Sequence, residues 1–189
     1  MFEKNAVEEY IKKATALIAE MNVDSVAEIT RELNRCFNSD GKVLLCGNGG
    51  SASDASHFAG ELIGRFRRDR EALAAVALTV DPAVVTAVAN DYGYENIFSR
   101  QVEALGREGD ILIAISTSGE SPNVLKAAET ARKAGLRVIA FTSASCVNAN
   151  WADLHWRSNS SVTSYSQEQM LVVFHAICFS LEEILAEKE

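Results

Sequence analysis

A histidine and a glutamate four residues apart, His57 and Glu61, follow a glycine-rich turn in this 189-residue chain. The turn, residues 47–50, ends a short apolar run, and helical spacing resumes from Ser51, a residue type that caps helices well. Glycines leave the backbone open to a ligand, and the first amides of a helix attract anions. Since residues four apart share one face of a helix, we expect an imidazole and a carboxylate side by side, one turn beyond an anion-binding turn.

Other interpretations of this stretch stay open from the residues alone. The turn, Gly-x-Gly-Gly-Ser, is not the dinucleotide fingerprint Gly-x-Gly-x-x-Gly, and no acidic residue stands after a second strand to bind a ribose, so we expect no nucleotide cofactor. Glu61 could pair with Arg65 in the favourable i,i+4 order. His57 could be a core histidine with its hydrogen bonds satisfied.

A second polar turn, residues 116–121 with the sequence Ser-Thr-Ser-Gly-Glu-Ser, precedes a helix that begins at Pro122. Its hydroxyls, its backbone amides and the helix dipole favour a phosphate group. The turn has no lysine and is therefore not a nucleotide P-loop. Ser121 could simply cap the helix. Capping, however, needs one hydroxyl and this turn supplies four.

The last helix carries His175 inside an apolar stretch, residues 170–181. We expect this helix to open with a capping box at Ser166 and to be buried on every side, in part by another subunit. His175 could be a packed core residue, or burial could tune it as an acid or a metal ligand. Gln167 precedes it by eight residues, roughly 12 Å along a regular helix.

Composition and charge exclude several functional classes. The chain is 48% hydrophobic with two prolines, as expected for a soluble globular protein, and its net charge of −8 argues against a nucleic-acid surface. We expect a cytoplasmic protein, because there is no signal-peptide pattern and no apolar run near the roughly 20 residues of a membrane span. Scattered cysteines indicate buried, reduced thiols; they are Cys36, Cys46, Cys146 and Cys178. The one basic cluster fits a solvated helix end; it comprises Arg65, Arg67, Arg68 and Arg70.

Periodicity predicts the elements that position these residues. Two amphipathic helices, at residues 2–21 and from Asp24 or Ser25 to just before Gly41, precede the first strand. Two helices before the first strand are more than one face of so small a sheet needs for its cover. This leads to the hypothesis that another subunit covers part of their apolar surface.

Five apolar segments predict strands at residues 43–46, 72–79, 110–116, 137–142 and 153–157. Helices are predicted from Ser51 and at residues 82–89, 97–105, 122–134 and 166–187, with a turn at 90–93. The strands lack period-two patterning, which is typical of a parallel sheet covered on both faces. The predicted fold is a single α/β domain over residues 1–189 with a doubly wound five-stranded parallel sheet. Both polar turns lie beyond C-terminal strand ends, where such sheets bind ligands.

Three long strings also carry a family resemblance: GNGGSASDASHFAGELIGRF from residue 47, NDYGYENIFSRQVEALGREGD from residue 90 and ISTSGESPNVLKA from residue 115. With Gln167, Glu168 and His175, they show that the chain resembles the sugar isomerase (SIS) domain family and, within it, the phosphoheptose isomerases. The resemblance implies a homotetramer with active sites between subunits. It also implies an aldose–ketose isomerase that acts on open-chain sedoheptulose 7-phosphate.

The resemblance further implies roles for individual residues. Substrate contacts are implied at Asn48, Gly49, Gly50, Ser51, Asn90, Asp91, Ser116, Thr117, Ser118, Ser121 and Gln167. A zinc ion, one per subunit, is implied at His57, Glu61, Gln167 and His175, with Glu61 and His175 as the catalytic pair. These roles agree with the chemistry, since isomerisation through an enediolate needs a base, an acid and a group that stabilises an oxyanion.

Residues 143–166 depart from the family pattern. Relatives have a glycine-rich turn and an Arg-Ile-Gln-Glu helix entry, where this chain has SASCVNAN and Tyr-Ser-Gln-Glu; Met170 stands where many have a histidine and Ser164 where some have an acid. Since this segment would form one side of the site, the substrate could be another phosphosugar. A non-catalytic protein of the replication-initiator-associating type is a rival hypothesis that the retained catalytic pair opposes. A sugar-phosphate sensing module is another, opposed by the lack of a DNA-binding segment.

Overall fold

The computed structural model of the protein describes residues 2–187 and contains one five-stranded sheet in which all pairings are parallel. The strands are β1 (Val43–Gly47), β2 (Ala75–Ala77), β3 (Ile111–Ile115), β4 (Arg137–Thr142) and β5 (Leu154–Arg157). They lie in the order β2-β1-β3-β4-β5, with Leu45 of β1 between Ala77 and Ile113. The chain leaves β1 toward one edge and β3 toward the other, so ligand-binding loops are expected to follow these two strands.

Residues 2–187 also form seven α-helices: α1 (Phe2–Ala19), α2 (Val23–Asn38), α3 (Gly50–Ile63), α4 (Pro82–Tyr92), α5 (Ser99–Leu105), α6 (Pro122–Lys133) and α7 (Thr163–Ala186). A short 3-10 helix, Tyr94–Asn96, joins α4 to the segment before α5. The predicted doubly wound α/β architecture, with two N-terminal helices and a long C-terminal helix, is confirmed.

Successive strand residues point to opposite faces of the sheet, and both faces are buried. Leu45, Ile113 and Phe141 pack with α2, α3 and α7 in one apolar cluster. Leu44 and Leu112 pack with α5 and α6 in a second cluster. This double coverage explains why the strands are continuously apolar and lack alternation.

Several predicted boundaries were wrong. The edge strand β2 keeps only three of the eight predicted residues, and α4 continues through Tyr92, so residues 90–92 are helical and the turn begins at Gly93 with φ 90°. The helix α7 starts three residues before the expected cap, and Ser166 lies within it as a buried residue whose Oγ donates to the carbonyl of Ser160. The predicted capping box is therefore absent at Ser166.

Apolar side chains remain exposed on several helices of the described chain, among them α1 and α7. On α1, Val7 is 57% and Ile11 58% exposed, and on α7 Phe179 is 42% exposed. The chain by itself therefore does not bury α7 on every side. By length and composition α7 is the one helix in residues 2–187 that could cross a membrane, but the core helix of a soluble protein meets the same criteria, and α7 packs against α2 and α3.

The four cysteines are free and buried, as predicted. Burial raises the pKa of the Cys46 thiol and of the Cys178 thiol to about 12. Neither thiol is therefore a thiolate near neutral pH.

Candidate active site

Two helices bring three potential ligands together on the side of α3 and α7 that faces solvent. The Nε2 atoms of His57 on α3 and His175 on α7 lie 3.0 Å apart, and Glu61 Oε1 lies 3.5 Å from His57 Nε2. His57 and Glu61, four residues apart on α3, thus meet His175, which lies 118 positions after His57. The predicted convergence of a histidine pair and a carboxylate is present in this geometry.

The structure decides between the alternative roles of His57 and Glu61. His57 is not a core histidine, because 44% of its side chain is exposed, and the Glu61 carboxylate contacts His57 Nε2 at 3.5 Å. Two imidazole nitrogens 3.0 Å apart cannot both carry protons, so at least one presents a lone pair toward the other. The cluster can therefore accept a shared proton or a metal ion.

The donor set has the residue types that can hold a metal ion. The ligand atoms of His57, Glu61 and His175 all lie within 4.8 Å of one another. Zn–N bonds of about 2.0–2.1 Å in tetrahedral geometry separate two ligand atoms by roughly 3.3 Å. This value lies between the His57–His175 separation of 3.0 Å and the His57–Glu61 separation of 3.5 Å. Three protein ligands with a fourth position open is the arrangement found at catalytic zinc ions.

Gln167 lies on the side of this cluster that faces the glycine turn. A Cβ added to Gly50 would collide with the Gln167 amide, so the two residues are in close contact. Gly50 precedes His57 by seven residues, roughly 10 Å along the axis of α3. This contact fits the predicted role of Gln167 as a substrate contact beside Gly50. Its role as a fourth metal ligand stays a prediction.

The glycine turn between β1 and α3 exposes its backbone. Gly49, not Ser51, is the N-cap of α3; its φ is 56°, and it offers no side-chain cap. A Cβ at Gly49 would meet nothing within 4 Å, so the space above this residue is open. Ser51 is buried in the first turn of α3, and its N–H donates to the carbonyl of Asn48. The space above Gly49 is therefore open to a ligand, while the N–H groups of Ser51, Ala52 and Ser53 already donate to carbonyls of the turn.

The second polar turn, residues 116–121, follows β3, the strand next to β1 in the sheet. Ser121 occupies the N-cap position of α6, but its hydroxyl makes no capping bond and lies 3.0 Å from the hydroxyl of Ser116. Simple capping by Ser121 is therefore wrong. Ser118 Oγ accepts from the N–H of Glu120, and Thr117 lies between these hydroxyls in the turn. The turn presents hydroxyls at the start of a helix, as expected for a phosphate site.

The segment that departs from the family pattern packs underneath this turn. Both the N–H and the hydroxyl of Ser143 donate to the carbonyl of Thr117, at 3.0 and 2.6 Å. Gly119, with φ 73°, lies against Cys146, whose sulfur would collide with an added Cβ. Residues 143–146 thus contact the second polar turn, and the expectation that residues 143–166 form one side of the site stays a prediction.

A pair of amides links the two turns. Asn48 Nδ2 donates to Asn123 Oδ1, and Asn123 Nδ2 donates to Asn48 Oδ1, both at 2.8 Å. The hydroxyl of Tyr94 donates to the same Asn48 oxygen at 3.1 Å. A cavity of about 470 Å³ is lined by these three residues together with Glu95, Ser121 and Pro122. Asn48 is thus fixed at the junction of the glycine turn and the α6 terminus.

The structure does not bring Asn90 and Asp91 into these contacts. Both are exposed in the last turn of α4, and Asn90 Nδ2 donates to Asp91 Oδ1 at 2.7 Å. Their role as substrate contacts stays a prediction. Asp54, one turn before His57, has a half-buried carboxyl; burial raises its pKa to about 6, while the charge of His57 acts in the opposite direction.

Sequence reasoning missed several residues around the cluster. No sequence pattern marked Asn123 or Tyr94 as a functional residue, apart from their position near the polar turns. The ring of Phe66 lies 5.3 Å from that of His175. Arg70 is buried, with a side chain 6% exposed, so the basic cluster is not uniformly solvated as predicted.

Comparisons with known proteins identify the family of this chain. Residues 9–143 match the SIS domain family. The phosphoheptose isomerase of Thermodesulfovibrio yellowstonii is 44% identical over 185 residues, which cover 97% of this chain and 92% of that protein. A phosphoheptose isomerase of Neisseria meningitidis is 43% identical over 169 residues, covering 87% of this chain and 86% of the relative. A solved phosphoheptose isomerase from Francisella tularensis has a TM-score of 0.90 at 35% identity, covering 97% of this chain and 100% of its own. The chain therefore belongs to the SIS domain family and, within it, to the phosphoheptose isomerases.

Proposed function

We propose that this protein is a ketose–aldose isomerase that converts sedoheptulose 7-phosphate into D-glycero-D-manno-heptose 7-phosphate for nucleotide-activated heptose biosynthesis. The observation that carries the proposal is the convergence of His57, Glu61 and His175 on α7 and on the helix that begins at the glycine turn. Relatives that are 42–45% identical carry the name phosphoheptose isomerase, which supports the choice of a seven-carbon sugar.

The reaction requires the net transfer of one proton from C1 to C2. The Glu61 carboxylate removes a proton from C1, and the C–H electrons form the C1=C2 bond of an enediolate as the C2 carbonyl becomes an oxyanion. His175 donates a proton to C2, and the O1 proton moves to O2 as C1 becomes the aldehyde. Glu61 has then gained the proton that His175 has lost, and exchange with solvent restores both.

The ends of the substrate have separate partners in this proposal. The hydroxyls of Ser116, Ser118 and Ser121, with the α6 terminus, bind the phosphate. The backbone at Gly49 and the side chain of Gln167 contact the sugar chain. The phosphate would thus be held away from the reacting carbons, and its binding energy would orient C1 and C2.

A zinc ion fits the same cluster. His57, Glu61 and His175 would hold it, with Gln167 as the further ligand that the resemblance implies. A bound zinc ion supplies a Lewis acid that stabilises the oxyanion. Histidine coordination through Nε2 leaves Nδ1 of the same ring as the nitrogen that carries a proton. A zinc-bound ring could give up this proton only by becoming an imidazolate, so proton donation at C2 is assigned to His175 with its Nε2 free of the ion.

Turnover of sedoheptulose 7-phosphate by the zinc-loaded protein tests the function directly. Glu61→Gln and His175→Gln should each lower kcat about a hundredfold or more, because each removes a proton-transfer group. Circular dichroism establishes that the variants are folded, and zinc content separates loss of the ion from loss of a proton-transfer group. Turnover of a different phosphosugar would reassign the substrate. A complete lack of turnover by zinc-loaded wild type would favour the non-catalytic binding protein.

We also infer a single-domain protein that forms cytoplasmic homotetramers. The exposed apolar residues of α1 and α7, Val7, Ile11 and Phe179, support contacts between copies, and the four free thiols fit a reducing compartment. Light scattering should give about four times the 20.5 kDa chain mass. A monomer would contradict the inference.

A further inference from the structure

The loop that follows α3, residues 64–71, is tied to α7 by a buried carboxylate. Glu182 is only 3% exposed. Its Oε1 accepts from the backbone amides of Phe66 and Arg67 at 3.0 Å, and its Oε2 accepts from those of Arg67 and Arg68 at 3.1 and 3.2 Å. A carboxylate that accepts several backbone N–H bonds in a buried place fixes the loop that supplies them.

Arg70 connects the same carboxylate to the C-terminal end of α3. Its Nε lies 3.6 Å from Glu182 Oε1, and both side chains are buried, with 6% and 2% exposed. Its Nη2 donates to the carbonyl of Glu61 at 2.8 Å, and its Nη1 donates to that of Leu62 at 3.0 Å. The guanidinium thus satisfies carbonyls that a helix end leaves without intrahelical partners.

This loop also touches the other half of the cluster. The Phe66 ring packs against the His175 ring, with 5.3 Å between centroids and an interplanar angle of 33°. Since Glu182 holds the Phe66 backbone, one buried residue governs the position of a ring against His175. Through Arg70 it also governs the helix end that carries Glu61.

We propose that Glu182 and Arg70 are positioning residues that set the geometry of the His57–Glu61–His175 cluster. The inference rests on the proposed function, because the cluster is taken to bind a metal ion and to transfer protons. Glu182 acts from seven residues beyond His175, roughly 10 Å along α7. Its effect passes through the backbone of Glu61 and the ring of Phe66, so Glu182 is not itself a catalytic residue.

Glu182→Gln tests the inference, with Glu183→Gln as a matched control. Both changes remove one negative charge from adjacent positions of α7. Glu183, however, pairs with Arg68 on the surface, where the two side chains are 44% and 52% exposed. Cobalt(II) is the probe, because its visible absorption reports ligand geometry in the intact protein without turnover.

The expected result is a cobalt affinity lowered by about 10–100-fold in Glu182→Gln, the range for residues that orient metal ligands, with an altered absorption spectrum. kcat should fall by more than KM rises, since the phosphate turn is untouched. Glu183→Gln should match wild type within about twofold on every measure, as expected for an exposed ion pair.

Phe66→Leu keeps the test decisive if Glu182→Gln does not fold. It removes the aromatic contact with His175 and leaves the buried carboxylate intact, so the cobalt spectrum should still change. If folded Glu182→Gln or Phe66→Leu protein has the cobalt affinity, spectrum and kcat of wild type, this inference is overturned. The proposed function is unaffected by that result. Wild-type protein that neither binds cobalt nor isomerises a sugar phosphate would overturn the proposed function, and this inference with it.

Discussion

Truncation of Asn123 to alanine should weaken the substrate site without touching the proposed acid or base. Asn123 is 2% exposed and holds Asn48 through two amide hydrogen bonds of 2.8 Å. Asn48 follows the last residue of β1 and is a predicted substrate contact. Without its partner, the Asn48 amide keeps only the hydrogen bond from the Tyr94 hydroxyl, which does not fix its orientation as the pair does.

The magnitude follows from the contacts that are lost. Two neutral hydrogen bonds at about 1 kcal/mol each give about 2 kcal/mol, and the half-buried Asn48 regains part of this from water. If that energy is expressed in the transition-state complex, kcat/KM for the sugar phosphate falls by up to about 30-fold. We expect most of the loss in KM, because Glu61 and His175 keep their positions.

Steady-state kinetics of Asn123→Ala and Tyr94→Phe provide the assay. Tyr94→Phe removes only the 3.1 Å hydroxyl contact with Asn48, so its kcat/KM should fall by no more than about fivefold. Thermal unfolding of both variants separates an effect on the site from a loss of folded protein. A folded Asn123→Ala variant with kcat/KM within twofold of wild type would refute the claim that the amide pair orients Asn48.

Two further predictions concern protonation and the phosphate. Burial raises the pKa of Asp54 from 3.8 to about 6, so its stabilising contribution is complete below pH 3.8 and is lost as the pH rises through about 6. Asp54→Asn should accordingly raise the unfolding free energy of the metal-free protein by about 1–2 kcal/mol at pH 8, after a discount for solvent screening. Near pH 3.5 the substitution should leave the unfolding free energy unchanged. Equal urea midpoints for wild type and variant at pH 8 would contradict this prediction. Ser121→Ala should raise KM about tenfold and change kcat little, since its hydroxyl is not used for capping; an unchanged KM would remove Ser121 from the phosphate site.

Local pattern was sufficient for much of the fold. Continuous apolar segments bounded by glycine or polar residues located the five strands, and β4 has the predicted bounds. The errors arose where local signals compete with packing. Asn90 and Asp91 are turn formers, yet they extend α4 because Gly93 provides the positive φ that ends the helix. Ser166 is a good cap by residue type, but tertiary structure buries it inside α7.

The site was predictable only in part for a similar reason. His57 and Glu61 share a face of one helix, so their proximity follows from spacing alone. Arg70 and Glu182 are 112 positions apart, and a run of four arginines interrupted by an acid gives no sign that one is buried. Asn123 likewise becomes important through a contact with a residue 75 positions earlier. Such contacts depend on how whole helices are placed.

The placement of α3 against α7 is itself set by the core. Phe58 and Phe174 stand next to His57 and His175 in the chain, and their rings stack with centroids 4.5 Å apart and an interplanar angle of 13°. Because adjacent helix residues point about 100° apart, a stacked pair in the core fixes the rotation of both helices and turns the two histidines toward each other on the outer side. The Gly50–Gln167 contact lies on one side of this pair and the Arg70–Glu182 contact on the other.

With three attachments along the two helices, the cluster does not require a metal ion to bring its ligands together. Metal binding should therefore change the backbone of α3 and α7 little, which amide hydrogen exchange with and without zinc can measure; strong protection gained along both helices on zinc binding would show that the ion, and not the core, assembles the site.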